Sequence, residues 1–148
     1  MHALTDQELQ STITYLQDLI RINTVNPPGN EIHACRYIAD LFDKAGIEYQ
    51  ILESAPHRAN LIARLKGDGS RKPLLLTSHL DVVPCEEDKW DVDPFSGVEK
   101  DGFIWGRGAV DMKNMTAMAL TTILKAKREG VPLKRDLIFA AIADEEVG

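Results

Sequence analysis

Two short segments constrain this chain more than anything else in it: Leu74-Leu75-Leu76 and Leu137 to Ala143 are apolar without alternation. A strand with one face in water alternates apolar and polar residues, so an unbroken short run predicts a strand covered on both faces by helices. Both runs fall far below the ~20 residues that a membrane-spanning helix needs. Helices are written around them. Thr5 followed by Glu8 is a capping box, and Leu9, Ile13, Leu16 and Ile20 then recur at steps of three and four, which predicts an amphipathic helix over 6–21. Asn26-Pro27-Pro28-Gly29 stops it, and Asn30 can cap a second helix whose apolar face is Ile32, Cys35, Ile38, Ala39, Phe42 and Ala45, closed by Gly46. Segments rich in β-branched and aliphatic residues follow at Ile47 to Leu52, Asn60 to Leu65, Pro73 to Ser78 and Phe103 to Trp105, and a third helix spans about Met112 to Glu129 before Gly130 and Pro132. The class is therefore α/β, with a mostly parallel or mixed sheet.

With 148 residues, 44% hydrophobic and 27% charged, the chain can bury one core of ordinary globular kind. The net charge is −6 and no Lys/Arg run or basic stripe occurs, which argues against nucleic acid as a partner. Residues Met1 to Glu8 have neither a basic start nor an apolar stretch, so a secretory signal is not expected and a cytoplasmic protein is. Cys35 and Cys85 are too few and too far apart for a disulfide framework, and fit a small core residue and a loop thiol in a reducing compartment.

The chemistry is concentrated where strands end, because loops gather beyond the carboxyl ends of strands in an open α/β sheet. The first apolar strand delivers His79-Leu80-Asp81 and the second delivers Asp144-Glu145-Glu146. If the two are parallel, an imidazole and several carboxylates converge at one edge. His79 and Asp81, two apart in extended chain, point to the same side, the spacing of a metal ligand and the carboxylate that orients it. A satisfied core histidine has the same spacing. Glu145 and Glu146 diverge, so one can bind metal while the other serves a water as general base, although a solvated acidic helix start also reads this way. Gly106-Arg107-Gly108 allows a sharp turn between a strand and a helix, leaving Asp111 at the helix start as either a cap or a bridge between two ions. Met112, Met115 and Met118 are expected to be a core stripe.

Taken with Val82-Val83-Pro84, Trp90, Asp93-Pro94-Phe95 and Asp101-Gly102, the stretches Thr77 to Asp81, Gly106 to Lys113 and Asp144-Glu145-Glu146-Val147-Gly148 resemble the M20 metallopeptidases, the family of acetylornithine deacetylase, succinyl-diaminopimelate desuccinylase, aminoacylase-1 and glutamate carboxypeptidase. The likeness runs the length of the chain and is densest from Leu74 to Lys113. It implies a three-layer α/β/α zinc-hydrolase sheet, phosphorylase/hydrolase-like, cut before its C-terminal half. It implies two Zn2+ per complete site, with Co2+ or Mn2+ as substitutes. His79, Asp111 and Glu146 would be metal ligands, with Asp111 as the bridge, Asp81 would orient His79, and Glu145 would be the general base. The substrate would be a small N-acylated amino acid or peptide cleaved at its amide bond, and the complete protein a homodimer. The family's remaining ligands, an Asp downstream and a late His, and its lid domain have no counterpart in this sequence. The chain is accordingly expected to be the N-terminal portion of a longer catalytic domain, with weak metal binding and no turnover of its own.

Arg107 and Lys113 are the local cations that a substrate carboxylate would need, although backbone bracing and a solvated helix face explain them better. Two other functions remain open at this point. A phosphoesterase or one-metal hydrolase would use the same kind of site, but Gly106-x-Gly108 is too short for a phosphate loop. A non-catalytic binding or dimerising module would be expected to lose some of the ligands, and all of the early ones are present.

Overall fold

The computed structural model describes residues 3–147; Met1 and His2, from the stretch read for a signal, and Gly148, which closes the last motif, lie outside the described residues. The chain runs α1 (Asp6–Arg21), α2 (Glu31–Ala45), β1 (Tyr49–Ala55), β2 (Arg58–Leu65), β3 (Leu74–His79), a short 3₁₀ turn (Glu87–Lys89), β4 (Glu99–Lys100), β5 (Phe103–Ile104), α3 (Lys113–Arg128) and β6 (Leu137–Ile142). β1, β2, β6 and β3 form one sheet in that order, and β4 and β5 pair as a separate ribbon. β1 and β2 are antiparallel, as are β2 and β6, whereas β3 runs parallel to β6. The sheet is thus mixed, within the α/β class expected.

Register explains where the core lies. Leu61, Ala63 and Leu65 of β2 stand beside Ala141, Phe139 and Leu137 of β6, and Leu76 and Ser78 of β3 stand beside Phe139 and Ala141. Side chains alternate across a strand, so these residues share one face. That face is buried with Ala34, Cys35, Ile38 and Phe42 of α2 and Ala117, Leu120 and Ile123 of α3, and Phe42 meets Phe139 edge-on at 5.4 Å between ring centroids. α1 packs on α3 and closes the core with Leu19. The opposite face bears Leu52, Ile62 and Leu75, all exposed, and among the described residues no helix covers it. Cover by helices on both faces, expected of the two apolar runs, is found for neither strand among the described residues: β6 is buried on its inner face with Ile138 and Ile142 half-buried on the other, and in β3 Leu75 is 54% exposed and Leu74 is exposed too. The difference follows from position, since β6 is flanked on both sides and β3 is an edge strand.

Helix ends follow the sequence closely. Thr5 and Glu8 form the capping box of α1, with Thr5 N donating to Glu8 Oε2 at 2.7 Å. Gly46 closes α2 in the left-handed region. Asn30 stands before α2 as expected, yet its side chain makes no cap hydrogen bond. Two expected apolar faces are corrected. Leu9 is exposed while Glu8 turns inward, because its carboxylate pairs with Lys125 of α3 at 2.8 Å. Met115 and Met118 are exposed rather than core, because the inward face of α3 is set by Lys113, Thr116, Ala117 and Leu120.

Candidate metal centre

β3 and β6 run parallel in register from Leu74 beside Leu137 to His79 beside Ile142, so both strands end at the same edge of the sheet. Ser78 turns to the helix side, where its hydroxyl lies 2.8 Å from that of Thr116, and alternation sends His79 the other way. The imidazole is buried. Its Nδ1 lies 2.9 Å from the backbone oxygen of Asp81, and its Nε2 lies 3.0 Å from Asp111 Oδ1 and 3.8 Å from Glu145 Oε2. A ligand atom each from His79, Glu145 and Glu146 falls within 4.8 Å of the others. Imidazole and carboxylates from three separate parts of the chain therefore meet.

Asp81 carries a different contact from the one its spacing suggests. Its carboxylate is fully buried and lies 3.7 Å from Nδ1 of His79, so the hydrogen-bond contact to the ring is made by the Asp81 backbone instead. The carboxylate accepts from the backbone N–H groups of Glu145 at 3.2 Å and Glu146 at 3.0 Å, and from Nδ2 of Asn26 at 2.8 Å. Burial by itself raises a carboxyl pKa, but the hydrogen bonds from Asn26 and those two backbone groups outweigh it and leave Asp81 below its ordinary value. Residues 24–26 run beside 80–82 as a short parallel rail, with Asn26 N donating to Val82 O and Val82 N to Thr24 O.

Asp111 comes from the glycine-hinged turn. Gly108 has φ +79, and a Cβ there would meet Val82 Cγ1 at 2.6 Å, so glycine lets the turn press against the segment next to Asp81. Asp111 does not cap α3, and its side chain is 78% exposed, turned toward His79. Lys113, the first residue of α3, is fully buried and donates to the backbone oxygens of Leu19 at 2.9 Å and Ile22 at 2.8 Å. Burial pushes its pKa down to about 7, against the attraction of Asp81. Bound in this way, Lys113 braces the backbone and has no reach to a substrate. Arg107 stacks its guanidinium over Trp90 at 5.6 Å, and its buried Nε has no hydrogen-bond partner among the described residues.

The electrostatics suit a cation. Burial lowers the pKa of His79, but the Asp81 backbone oxygen and the carboxylates of Asp111, Asp81 and Glu145 outweigh it and raise the pKa. Glu146 is raised by burial, with Asp111, Glu145 and Asp81 adding to the shift against His79. Four carboxylates crowd one imidazole, a hard donor set with one nitrogen that fits a divalent ion such as Zn2+. Sequence reasoning did not find Asn26, Arg58 or Glu31, which support this cluster; the only signal for Asn26 was its place in the Asn-Pro-Pro-Gly turn, where it read as a stop.

The chain is similar to known proteins in this same region. A family model described as peptidase family M20/M25/M40 matches residues 75–148, the half that holds His79, Asp81, Asp111, Glu145 and Glu146. A probable succinyl-diaminopimelate desuccinylase of Staphylococcus aureus is 38% identical over 90% of this chain and 33% of its own length. Aminoacylase-1 of Sus scrofa is 32% identical over 93% of this chain and 34% of its own. The fold is that of the M20 family metallo-carboxypeptidase Sso-CP2 from Sulfolobus solfataricus, with a TM-score of 0.78 at 21% identity, covering 97% of this chain and 32% of that one. The chain thus spans about a third of the length of the curated relatives it matches. A family model over half the chain, on a sheet of the same fold, leads to one conclusion: the chain belongs to peptidase family M20/M25/M40.

Proposed function

We propose that the chain contributes the metal-binding edge of a two-metal hydrolase that cleaves the amide bond of a small N-acylated amino acid or peptide. The observation that carries this is the convergence of His79, Asp111, Glu145 and Glu146 at the shared end of β3 and β6. His79, Asp111 and Glu146 would hold Zn2+, and Co2+ or Mn2+ would serve the same donors. Divalent ions bound there supply Lewis acidity, which polarises a carbonyl and brings a water's pKa from near 16 toward ~7. Glu145 takes the proton of the attacking water. Its side chain is 56% exposed beside His79, so water and substrate both have access to it. The same carboxyl then gives the proton to the departing nitrogen. Asp81 keeps Glu145 in reach by accepting from its backbone N–H. An acyl–nitrogen bond is the substrate class because the similar proteins are named as a desuccinylase and an aminoacylase.

The test is mutational and uses the complete protein, since the chain spans about a third of the length of its relatives. Glu145→Gln keeps its metal and loses roughly 10²- to 10⁴-fold in turnover of N-acylated amino acids, the usual worth of a general base. His79→Ala and Glu146→Ala lose metal as well as activity. Turnover near wild type in Glu145→Gln refutes the assignment of the base, and a metal-free wild-type protein without amide cleavage refutes the hydrolase.

A further inference from the structure

We infer that Asn26 and Arg58 are positioning residues for Glu145 and Glu146, acting through Asp144 and Asp81. The inference rests on the metal-hydrolase reading for its consequence, and on hydrogen bonds alone for its geometry.

The two glutamates sit on a short loop after β6, and little of the fold's apolar core reaches them. A polar relay holds that loop. Asn26, itself buried, donates one amide proton to Asp81 Oδ2 at 2.8 Å and the other to Asp144 Oδ1 at 3.0 Å. Two carboxylates face the same nitrogen, so the donor must be the NH2 end of the amide. Arg58 approaches from the start of β2, and its Nη2 donates to Asp144 Oδ1 at 2.7 Å. The same guanidinium grips Glu31 of α2 with Nε at 2.8 Å and Nη2 at 2.9 Å, and Glu31 is fully buried. Gly29 makes this path possible: a Cβ on it would lie 2.4 Å from Arg58 Nε, so the side chain passes directly over the glycine.

The relay continues into the backbone of the site. Asp144 has φ +69, a left-handed conformation that aspartate tolerates better than most residues, and its side chain is tied there to Asn26 and Arg58. With Asp144 fixed there, the next two N–H groups, of Glu145 and Glu146, turn onto Asp81. Asn60 Oδ1 accepts from Ala143 N at 2.9 Å. Asp81 is therefore held from one side by Asn26 and holds the glutamates on the other. Without Asn26, the like charges of Asp81 and Asp144 would repel, and the Glu145 and Glu146 carboxylates would lose their register with His79.

The decisive measurement is hydrogen exchange at the Glu145 and Glu146 amides in the metal-free complete protein, for Asn26→Ser and Arg58→Gln. We expect exchange there to quicken tenfold or more in both variants while β6 amides stay protected. Competition of Zn2+ alone against a chromophoric chelator should show affinity weaker by roughly 10- to 100-fold, the usual consequence of removing support behind metal ligands. In catalysis kcat falls while KM changes little. Wild-type exchange at 145 and 146 with wild-type Zn2+ affinity, even alongside a lowered melting temperature, means that both residues only stabilise the fold, and overturns the inference. Arg58→Lys keeps a charge for Glu31 but has no second arm for Asp144, and it carries the same comparison if Asn26→Ser does not fold. A wild type that neither binds Zn2+ nor cleaves amides defeats the hydrolase reading, whereas the exchange data, taken without metal, still decide the positioning role.

Discussion

At the residue scale, Lys113 shows how a charge in a motif can serve the fold. The last carbonyls of a helix have no partner within it, and α1 ends in buried surroundings. Lys113 supplies the donors for Leu19 and Ile22, and an ammonium at a helix C-terminus also meets the negative end of its dipole. Lys113→Met keeps most of the volume but none of the donors, so two carbonyls lose their partner. A loss of about 1–3 kcal/mol in stability is expected, measured by chemical denaturation. A variant as stable as wild type would mean that water or a backbone shift replaces the amine. Since this residue also starts α3, two positions after Asp111, its loss should loosen the turn that presents that carboxylate to His79. Of the site residues, His79, Asp81, Asp111, Glu145 and Glu146 could each be named from residue type and from position at strand ends. Asn26 and Arg58 could not, because an amide after a helix and an arginine before a strand carry no spacing that points to Asp144.

At the scale of elements, α1 and α3 are held together by a charged contact as well as by packing. Glu8 accepts from Lys125 at 2.8 Å, pairs with Arg128, and completes the capping box with Thr5. The ammonium of Lys125, then the Thr5 backbone N–H, hold its carboxyl down to about 2 from an ordinary 4.5. A carboxylate whose pKa is lower when folded stabilises the native state above its unfolded pKa, and that contribution fades as pH falls through the folded one. Acid destabilisation between about pH 4.5 and 2 should therefore be shallower in Glu8→Gln than in wild type, read as melting temperature against pH. Equal slopes would show that Glu8 is not the group being titrated. The periodicity of α1 located the helix but misassigned its face at Leu9, since a paired carboxylate at Glu8 is invisible to an apolar count. Likewise the methionine spacing of α3 marked a helix and not its buried side.

At the scale of the whole molecule, β6 is central. It is paired on both sides and buried along most of its length, while β4 and β5 form a two-residue ribbon with Phe103 exposed. Native-state exchange should be slowest at Phe139 and Ala141 and fastest at Lys100 and Phe103, because opening free energy follows burial and pairing. Similar rates in both places would mean that the sheet and the separate ribbon open together. The sequence by itself determined the α/β class, all three helices to within a residue or so, and the two strands that end in residues of metal-ligating type, because periodicity, caps and chemical type are local properties. Only the tertiary structure decided that β3 is an edge strand with an open face, that the Asp81 carboxylate turns to the Glu145–Glu146 backbone while its own carbonyl meets His79, and that Asn26 and Arg58 join the site. Those outcomes depend on which strands become neighbours and which buried charges find partners across distant parts of the chain, and no local pattern encodes either.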